Sequence, residues 1–365
     1  MSRHDLKALR VGVVGGTGYT GGELCRLLLG HPAVGTILPT ARGAGSFATT
    51  HPNLLGSGLE FVTVDELTEQ AGELDVVFFC TPSGQAMRAA GRFLELGAHV
   101  VDLSADFRFP SPDDYEAVYG KRHASPELLA EAVYGVTELN RERIRKSRLV
   151  ANPGCYAITA ILGLAPLLAH GFVDAGAPLS IHAVNGTSGA GVTPKKALMH
   201  AEVSNAMLAY SLEGHRHGPE LETFFRALTG EPVEVDFNTS HGNFARGIHL
   251  QANLRLTREH GRDELLGLYH DFYGAGHQKE HFVLVVDLPK LGELNEKRYE
   301  IYPNLRGVVG SNFCHIGLDH DARRGITKIV AVTDNLIKGA AGSAIQNMNV
   351  ALGLDETLGL RSYAL

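Results

Sequence analysis

The stretch that decides the fold is LRVGVVGGTGYTGGE, residues 9–23, near the start of a chain of 365 residues. Its first six residues form an apolar run typical of a buried strand, and a helix is predicted from Gly22 to Leu29. Glycines at 15, 18 and 21 have the spacing of a turn whose backbone approaches a pyrophosphate, while the following helix offers its N-terminal N–H groups. An ordinary tight turn is the alternative. The position between a strand and a helix favours dinucleotide binding.

The alternation of strand and helix continues through the first 150 residues. Strands are predicted at Asp75–Cys80 and His99–Leu103, on either side of a helix predicted at Gln85–Leu96. Such alternation is typical of a parallel sheet with helices on both faces. The fold class predicted for residues 1–152 is therefore α/β, a Rossmann-like doubly wound parallel sheet that forms a dinucleotide-binding domain.

The sequence pattern changes beyond about residue 150. Strand candidates become longer and more alternating, at Leu179–Val184, Gly247–Leu256 and Phe282–Val286, with helices predicted at Ala157–Leu168 and Asp263–Phe272. We expect residues 153–330 to form an α+β catalytic and substrate domain, also the dimerisation domain, with a largely antiparallel sheet. Residues 331–365 contain a helical run of small residues, and we expect this C-terminal helix to return to the dinucleotide-binding domain.

Composition excludes several other classes of protein. The net charge is −7 and no Lys/Arg-rich run with interleaved aromatics occurs, which argues against a nucleic-acid partner. No segment approaches the roughly 20 apolar residues of a membrane span, and the N-terminus lacks a signal core. Four cysteines without a CxxC spacing predict neither a disulfide framework nor a metal site. A cytoplasmic location with reduced thiols is expected.

The glycine turn and the second strand predict the cofactor contacts. The turn residues expected to bind it are Gly15, Thr17, Gly18, Tyr19, Thr20 and Gly21. No Asp or Glu follows the strand at Ile37-Leu38, where an acid would bind the ribose of NAD. Arg42 could instead hold a 2′-phosphate, so NADP(H) is the predicted cofactor. A solvated loop arginine is the alternative reading.

One of the four cysteines stands in a setting suited to catalysis. Cys155 follows a strand end and the turn Asn152-Pro153-Gly154, and it precedes an apolar helix. A helix N-terminus stabilises a thiolate, the nucleophilic form of cysteine. The alternative is a buried structural cysteine, which fits Cys25, Cys80 and Cys314 better. Cys155 is therefore the predicted nucleophile.

A nucleophilic thiol needs an acid/base partner, and the best local candidates are His215 and His217. Pro219 reads as the first residue of a helix, which places His217 near the N-cap, in a turn rather than a core. His217 is preferred to His215 for this role. A His-x-His pair also suggests a metal, but no third ligand stands at a suitable spacing.

Two further turns could bind an anionic substrate. The turn Gly186–Gly191, which includes Ser188 and Gly189, could present several N–H groups to a phosphate or carboxylate. Arg108 follows the strand end at Asp102, where ligands bind in open α/β sheets, and could fork onto a carboxylate or phosphate. Asn152, beside the cysteine, completes the predicted substrate contacts. An ordinary glycine-rich loop and a surface ion pair are the alternatives.

These segments together resemble the N-acetyl-γ-glutamyl-phosphate reductases of arginine biosynthesis, within the aspartate-semialdehyde dehydrogenase superfamily. The pieces appear in the family's order from residue 11 to the end. They are GGTGYTGGE at 15–23, HPNL at 51–54, DLSADFR at 102–108, NPGCY at 152–156, SGAG at 188–191, HRHGPE at 215–220, VGSNF at 309–313 and TDNLIKG at 333–339.

The resemblance implies NADPH as the reductant, a covalent thioester at Cys155 and a histidine acid/base at His215 or His217. It further implies that Asn335 lies near the nicotinamide and that the protein is a cytoplasmic homodimer or homotetramer. The implied activity is reduction of N-acetyl-γ-glutamyl phosphate to N-acetylglutamate 5-semialdehyde. The alternatives are another small-molecule acyl phosphate, of the aminoadipyl or aspartyl type, and a non-catalytic NADP-binding regulatory protein.

The chain also departs from the family pattern. Ala41 replaces the serine that usually precedes the arginine after the second strand, which removes one ligand for the 2′-phosphate. Val192 replaces an arginine after the Ser-Gly-Ala-Gly segment, and residues 238–247 lack the family's Pro-His-Leu-Leu-Pro-Met form. The change at Ala41 bears on the expected NADP cofactor, whereas the last two changes affect the expected substrate more than the expected reaction type.

Overall fold

A computed structural model describes residues 8–43, 45–174, 176–274, 279–289 and 298–365. The chain divides into two compact units. Unit 1 comprises Met1–Gly154 together with Ala340–Arg361, and unit 2 comprises Cys155–Gly339 together with Ser362–Leu365.

Unit 1 is built on a six-stranded sheet in which every pair of neighbours is parallel, in the order β2-β1-β3-β4-β6-β5. Its strands are β1 (Leu9–Val14), β2 (Val34–Pro39), β3 (Val76–Phe79), β4 (His99–Asp102), β5 (Val133–Tyr134) and β6 (Leu149–Ala151). The chain leaves β1 in one direction to β2 and then crosses to β3 on the other side. The carboxyl end of β1 is thus a topological switch point, where open α/β sheets bind ligands. The predicted Rossmann-like sheet is confirmed.

Short connections and helices cover this sheet. The helices are α1 (Tyr19–Leu29), α2 (Phe47–Thr50), α3 (Val64–Glu69), α4 (Ala86–Glu95), α5 (Pro112–Tyr119) and α6 (Thr137–Ile144), with 3₁₀ turns at Pro52–Leu54, Ala71–Glu73 and Pro126–Ala130. Helix α1 begins at Tyr19, one turn earlier than the predicted Gly22, because extended Gly18 is its N-cap. The glycine pair at 21 and 22 lies inside the helix, where packing compensates for its low helix propensity.

Unit 2 contains a seven-stranded mixed sheet in the order β11-β12-β13-β10-β7-β9-β8. Its strands are β7 (Leu179–Asn185), β8 (Leu208–Tyr210), β9 (Val235–His241), β10 (Ile248–Arg255), β11 (Val283–Val285), β12 (Cys314–Asp321) and β13 (Ile326–Thr333). Only the β7–β9 and β11–β12 pairs are parallel, so the predicted largely antiparallel sheet is confirmed. In β10, buried residues alternate with exposed ones, as expected for a sheet covered on one face.

The helices of unit 2 are α7 (Cys155–Ala169), α8 (His200–Val203), α9 (His217–Thr229) and α10 (Arg262–Tyr273), with 3₁₀ turns at Thr187–Ala190, Lys196–Leu198, Tyr299–Ile301 and Leu305–Gly307. Helix α7 is buried on all sides from Tyr156 to Leu168. It packs against β10 and β13 on one side and against α9 on another. Because α7 and α9 pack together, the residues at their starting ends can share one site.

The C-terminal helix α11 (Gly342–Ala351) follows a π-helical turn at Ile337–Ala341 and packs on α6 and β4 of unit 1. It is buried on nearly all sides, and its buried residues include polar as well as apolar side chains. Gln346 donates to the Glu138 carboxylate at 3.1 Å, and Asn347 donates to the Gly135 carbonyl at 2.9 Å while accepting from Thr137 at 2.8 Å. A buried amide needs a specific hydrogen-bond partner, so these bonds fix the position of α11 in addition to the packing of its apolar residues.

Candidate active site

The glycine turn after β1 has no room for side chains at two of its glycines. Gly15 has a φ of +88°, and a Cβ there would lie 2.5 Å from the Cys80 carbonyl oxygen. A Cβ on Gly21 would lie 2.6 Å from the Gly15 carbonyl oxygen. Gly18, by contrast, has room, since its nearest neighbour would be 3.9 Å away. At two of the three predicted positions, neighbouring backbone atoms lie so close that only glycine fits.

Side chains from beyond β2 anchor this turn. The Gly15 N–H donates to the Thr40 hydroxyl at 3.1 Å, and the Gly16 N–H donates to the Thr40 carbonyl at 3.0 Å. On the other side, the Gly16 carbonyl accepts from His51 Nε2 at 2.7 Å. Sequence reasoning did not assign either anchor a role. His51 had a visible signal, because it opens the HPNL segment, but nothing in the sequence named its partner.

The turn meets the requirements of a pyrophosphate. The N–H groups of Tyr19, Thr20 and Gly21 lie in the first turn of α1, where an α-helix supplies no acceptor for them. Thr17 is exposed, as is Tyr19, and Arg42 is exposed just beyond β2. The helix start, the absent Cβ atoms and the exposed arginine fit a phosphorylated dinucleotide.

Cys155 is the first residue of α7 and is half-buried. Asn185, at the end of β7 and 2% exposed, directs its Nδ2 at the Cys155 Sγ from 3.9 Å. Gly339 closes the other side, since a Cβ there would lie 2.8 Å from the Cys155 Cβ. The predicted position of the thiol at a turn-to-helix junction is confirmed, and Asn185 is a contact that sequence reasoning missed.

The other cysteines occupy different surroundings. Cys25 and Cys314 are buried, and burial raises the pKa of the Cys25 thiol to about 12. Burial also raises the pKa of Cys80 strongly, and the charge of Asp102 adds to the effect. The thiols of Cys25 and Cys80 are thus held in their protonated, unreactive form at neutral pH.

His217 is the first residue of α9, two residues before the predicted start at Pro219, and only 4% of it is exposed. The prediction of a turn position outside the core was therefore wrong, because the packing of α9 on α7 covers the imidazole. Its Nε2 lies 3.8 Å from a carboxylate oxygen of Glu220, whose side chain is fully buried. From this position the Glu220 carboxylate can orient the imidazole of His217.

His215 has a different role. Its Nδ1 accepts the backbone N–H of His217 at 3.1 Å, which satisfies an N–H at the start of α9. Burial, with the charges of Arg216 and His241, lowers the pKa of His215 to about 4. A neutral imidazole with an accepting nitrogen is a helix cap, and it holds no proton to give at neutral pH.

An aromatic cluster connects the thiol helix to the histidines. The Tyr156 ring meets the rings of His215 and His217 edge-on, at centroid distances of 5.6 and 5.8 Å. Its hydroxyl lies 3.0 Å from the hydroxyl of Tyr210, whose ring stacks on His241 at 4.5 Å. Burial raises the pKa of Tyr156 strongly, so its hydroxyl stays protonated and serves as a hydrogen-bonding group.

The second glycine turn, Gly186–Gly191, uses its N–H groups internally. Thr187 donates to Phe244 O at 2.9 Å, Ser188 donates to Ala245 O at 3.1 Å, and Gly189 donates to Gly186 O at 3.0 Å. The prediction that this turn presents these N–H groups to an anion was wrong, because the facing 244–245 backbone and the turn itself accept them. Substrate binding by Ser188 and Gly189 through other atoms stays a prediction.

The second turn instead shapes the surroundings of the thiol. A Cβ on Gly189 would lie 2.1 Å from the Nδ2 of Asn185, so only glycine leaves that amide in place. Asn335, 2% exposed, donates to the Ser188 hydroxyl at 2.9 Å and accepts from the Gly247 N–H at 2.7 Å. Its amide braces two segments of unit 2, and its predicted contact with the cofactor stays a prediction.

Asp334, next to Asn335, is fully buried and forms a bidentate ion pair with Arg246 at 3.0 and 3.1 Å. The same carboxylate accepts the N–H groups of Gly310 at 2.8 Å and of Leu336 at 2.8 Å. Such a fully paired buried charge fixes the backbone on both sides of it.

Arg108 and Asn152 are held by other parts of unit 1. Arg108 donates to the Leu103 carbonyl at 3.1 Å and to the Asn152 carbonyl at 3.0 Å. The side-chain oxygen of Asn152 accepts from Ser343 at 3.1 Å and from Asn347 at 3.0 Å. These two bonds go to main-chain carbonyls just beyond strand ends. Substrate binding by either residue stays a prediction.

Within the described residues, no group of three or more His, Cys, Asp or Glu side chains is placed to hold a metal ion. Across the same part of the chain, no helix has the length and apolarity needed to span a membrane.

Two family models match the chain and define its class. Residues 10–147 match the semialdehyde dehydrogenase NAD binding domain, and residues 155–335 match the semialdehyde dehydrogenase dimerisation domain. The prediction of a nicotinamide-dependent oxidoreductase is confirmed. The second match indicates self-association.

Curated relatives identify the family within this class of oxidoreductases. An N-acetyl-gamma-glutamyl-phosphate reductase from Azotobacter vinelandii is 42% identical over 361 residues, covering 98% of this chain and 99% of the relative. One from Pseudomonas fluorescens (strain Pf0-1) is 42% identical over 356 residues, covering 96% and 98%. The chain belongs to the N-acetyl-γ-glutamyl-phosphate reductase family of the semialdehyde dehydrogenases.

Solved structures show the same two-domain fold. Aspartate semialdehyde dehydrogenase II from Vibrio cholerae has a TM-score of 0.67 at 15% identity, covering 95% of this chain and 98% of that one. A probable aspartate-semialdehyde dehydrogenase from Pseudomonas aeruginosa has a TM-score of 0.66 at 21% identity, covering 94% and 98%. At these identities the likeness establishes the fold alone.

Proposed function

We propose that this enzyme reduces N-acetyl-γ-glutamyl phosphate to N-acetylglutamate 5-semialdehyde, with release of phosphate, in arginine biosynthesis. NADP(H) is the cofactor. The names of the 42% identical relatives support the substrate. Residues 1–152 serve as the dinucleotide-binding domain and residues 153–330 as the catalytic domain. Residues 331–365 contain the C-terminal helix that returns to the dinucleotide-binding domain.

The observation that carries the proposal is the setting of Cys155. Its thiol stands at the first residue of α7, where the helix dipole stabilises a thiolate, and the Asn185 amide points at the sulfur from 3.9 Å. The thiolate attacks the acyl carbonyl carbon, a C–S bond forms, and the C–O bond to phosphate breaks. N–H groups at the start of α7 stabilise the oxyanion of the tetrahedral intermediate. A thioester on Cys155 and inorganic phosphate result.

His217 is the acid/base that moves the proton. Glu220 faces its Nε2 inside the protein and orients the imidazole. His217 takes up the proton of the thiohemiacetal oxygen as the C–S bond breaks, which releases the semialdehyde and the Cys155 thiolate, and it returns that proton in the reverse direction. His215 is less suited to this role, since its pKa is lowered to about 4 and its Nδ1 is engaged with the His217 N–H. The pair Cys155 and His217 is thus a nucleophile and a base oriented by a third group.

The cofactor fits the glycine turn of unit 1. Gly15 and Gly21 leave the backbone bare for a pyrophosphate, and the first turn of α1 supplies N–H donors. Arg42, exposed beyond β2, is placed by the sequence to hold a 2′-phosphate. When bound, NADPH supplies the hydride that reduces the thioester.

The assembly is a homodimer or homotetramer, which the match to a dimerisation domain supports. The enzyme acts in the cytoplasm, as expected for amino-acid biosynthesis with reduced thiols. Light scattering measures the oligomeric state, and cell fractionation measures the location.

The test is an assay of the purified chain in the oxidative direction with phosphate and NADP⁺. N-acetylglutamate 5-semialdehyde should be oxidised at least about 100-fold more efficiently than the aminoadipate or aspartate semialdehydes, a difference of about 3 kcal/mol in transition-state binding. A preference for either of the other two would replace the proposed substrate. A chain that binds NADPH but oxidises none of the three would instead be a regulatory binder.

A further inference from the structure

The HPNL segment, residues 51–54, has no part in the chemistry described above. Its histidine nevertheless lies against the glycine turn of unit 1. His51 is 8% exposed and its Nε2 contacts the Gly16 carbonyl oxygen at 2.7 Å, a short hydrogen bond for this pair of atoms. The nitrogen must be protonated, because a carbonyl oxygen only accepts.

The imidazole has little freedom to move. A Cβ on Gly22 would lie 2.4 Å from the His51 ring, so the ring lies directly over the glycine in α1. Phe47 flanks the ring at a centroid distance of 5.0 Å and Phe61 at 6.5 Å. Because the ring is packed on three sides, its nitrogen stays in one place. The hydrogen bond therefore fixes the direction of the Gly16 carbonyl in the turn.

This hydrogen bond sets the direction of the next N–H group. The Gly16–Thr17 peptide is trans, so its C=O and N–H point in opposite directions. With the carbonyl held toward the buried His51, the Thr17 N–H points to the opposite, outer side of the turn. Thr17 is exposed there, next to the start of α1. The N–H of Thr17 thus joins those of the helix start on the side open to a ligand.

We propose that His51 is a positioning residue for the cofactor: it holds the Gly16 carbonyl inward so that the Thr17 N–H faces the pyrophosphate of the dinucleotide. The inference rests on the proposed function, in which this turn binds NADPH. It assigns His51 no contact with substrate or cofactor. Thr40 fixes the Gly15 and Gly16 N–H groups from the other side, so the two anchors together define the turn.

The test is a fluorescence titration with NADPH of folded variants, without substrate. His51→Leu keeps the bulk and removes the donor, and it should bind NADPH about tenfold more weakly. His51→Gln keeps a donor at a similar reach and should bind within about threefold of the wild type. His51→Asn, whose amide is too short, should resemble His51→Leu and replaces it if the leucine variant does not fold.

A matched control comes from the other end of α1. His31 is 2% exposed and hydrogen-bonds Asn349 at 3.0 Å, so His31→Leu removes a buried imidazole from the same unit. It should leave NADPH affinity unchanged, and iodoacetamide should alkylate Cys155 at the wild-type rate in every variant. Equal NADPH affinity in His51→Leu and wild type, or equal losses in the leucine and glutamine variants or in His31→Leu, would overturn the proposal while leaving the proposed function intact. A wild-type chain that binds no dinucleotide would overturn both.

Discussion

The two glycine-rich turns of this enzyme look alike in sequence, but their N–H groups are used in different ways. The first, Gly15–Gly21, follows β1 of unit 1, and the second, Gly186–Gly191, follows β7 of unit 2. In the first, the N–H groups at the start of α1 lie beyond the reach of any intrahelical acceptor. In the second, the N–H groups of Thr187, Ser188 and Gly189 are taken by carbonyls of the protein.

The difference shows that a glycine pattern does not by itself make an anion site. Both turns contain a glycine forced by a close neighbour, but the neighbours differ. At Gly15 it is the backbone carbonyl of Cys80, and at Gly189 it is the side chain of Asn185, which faces the thiol. Under the proposed function, the first turn serves cofactor binding and the second serves the chemistry on Cys155. Substitutions in the two turns should separate these functions.

The largest effect is expected from Gly15→Ala. The residue has a φ of +88° and its new Cβ would meet the Cys80 carbonyl, so the turn must distort. We expect about 3 kcal/mol of strain and about 100-fold weaker NADPH binding, measured by fluorescence titration. Gly72→Ala, on an open surface of the same unit, is the control and should bind as the wild type does. Wild-type affinity in Gly15→Ala would remove the first turn from the cofactor site.

Gly189→Ala should have the next largest effect, and on turnover rather than binding. The Cβ would displace the Asn185 amide from the thiol, lowering kcat about 30-fold while the affinity for NADPH stays unchanged. Gly267→Ala, on the exposed side of α10, should retain full kcat. If Gly189→Ala weakened NADPH binding instead, the separation of the two turns would fail.

A smaller effect is expected at Arg42, which is exposed and so contributes little to stability. Arg42→Ala should weaken NADPH binding about tenfold through loss of a charged hydrogen bond and should leave NADH binding unchanged. Competition titrations with both dinucleotides measure this directly. Equal losses for the two would assign Arg42 to the shared part of the cofactor.

The smallest change in turnover is expected from His215→Asn. Asparagine can still accept the His217 N–H, so kcat at pH 7 should stay within about threefold of the wild type. Stability should respond to pH, however. Because folding lowers the pKa of His215 from 6.5 to about 4, the unfolded chain binds a proton in that range that the folded chain does not.

The contribution of His215 to stability is therefore complete above pH 6.5 and is lost as the pH falls toward 4, on the order of 3 kcal/mol in total. Urea unfolding at pH 7 and pH 4.5 should show a steeper loss for the wild type than for His215→Asn. Identical pH dependence in the two would contradict the assignment of His215 as a neutral cap. A large loss of kcat would make it the acid/base in place of His217.

Local patterns predicted the elements, but not the partners of individual polar atoms. The β1 run, the glycine turn and the thiol at a helix start are readable from periodicity and turn chemistry alone. The role of Asn185 was not readable, since a single amide at a strand end acquires meaning only when α7 brings the sulfur to it. The roles of His51, Glu220 and the amides of α11 could not be predicted either. Their partners are distant in sequence, or the contact becomes important only when both groups are buried.

Errors in the sequence reading have the same physical origin. The sequence leaves the N–H groups of Thr187 and Ser188 without an acceptor because the segment that accepts them, residues 244–245, is more than fifty residues away. His217 read as a turn residue because Pro219 suggested a later helix start, whereas the packing of α9 on α7 buries the imidazole. Tertiary contacts decide both cases.

The central claim is a covalent thioester on Cys155, and intact-protein mass spectrometry tests it most directly. Mixing the enzyme with N-acetylglutamate 5-semialdehyde and NADP⁺ without phosphate should form the acyl-enzyme and stop there, with one NADPH released per active site. The adduct should map to Cys155, disappear when phosphate is added, and be absent in Cys155→Ala. Steady phosphate-dependent turnover with no adduct, or substantial turnover by Cys155→Ala, would contradict the account.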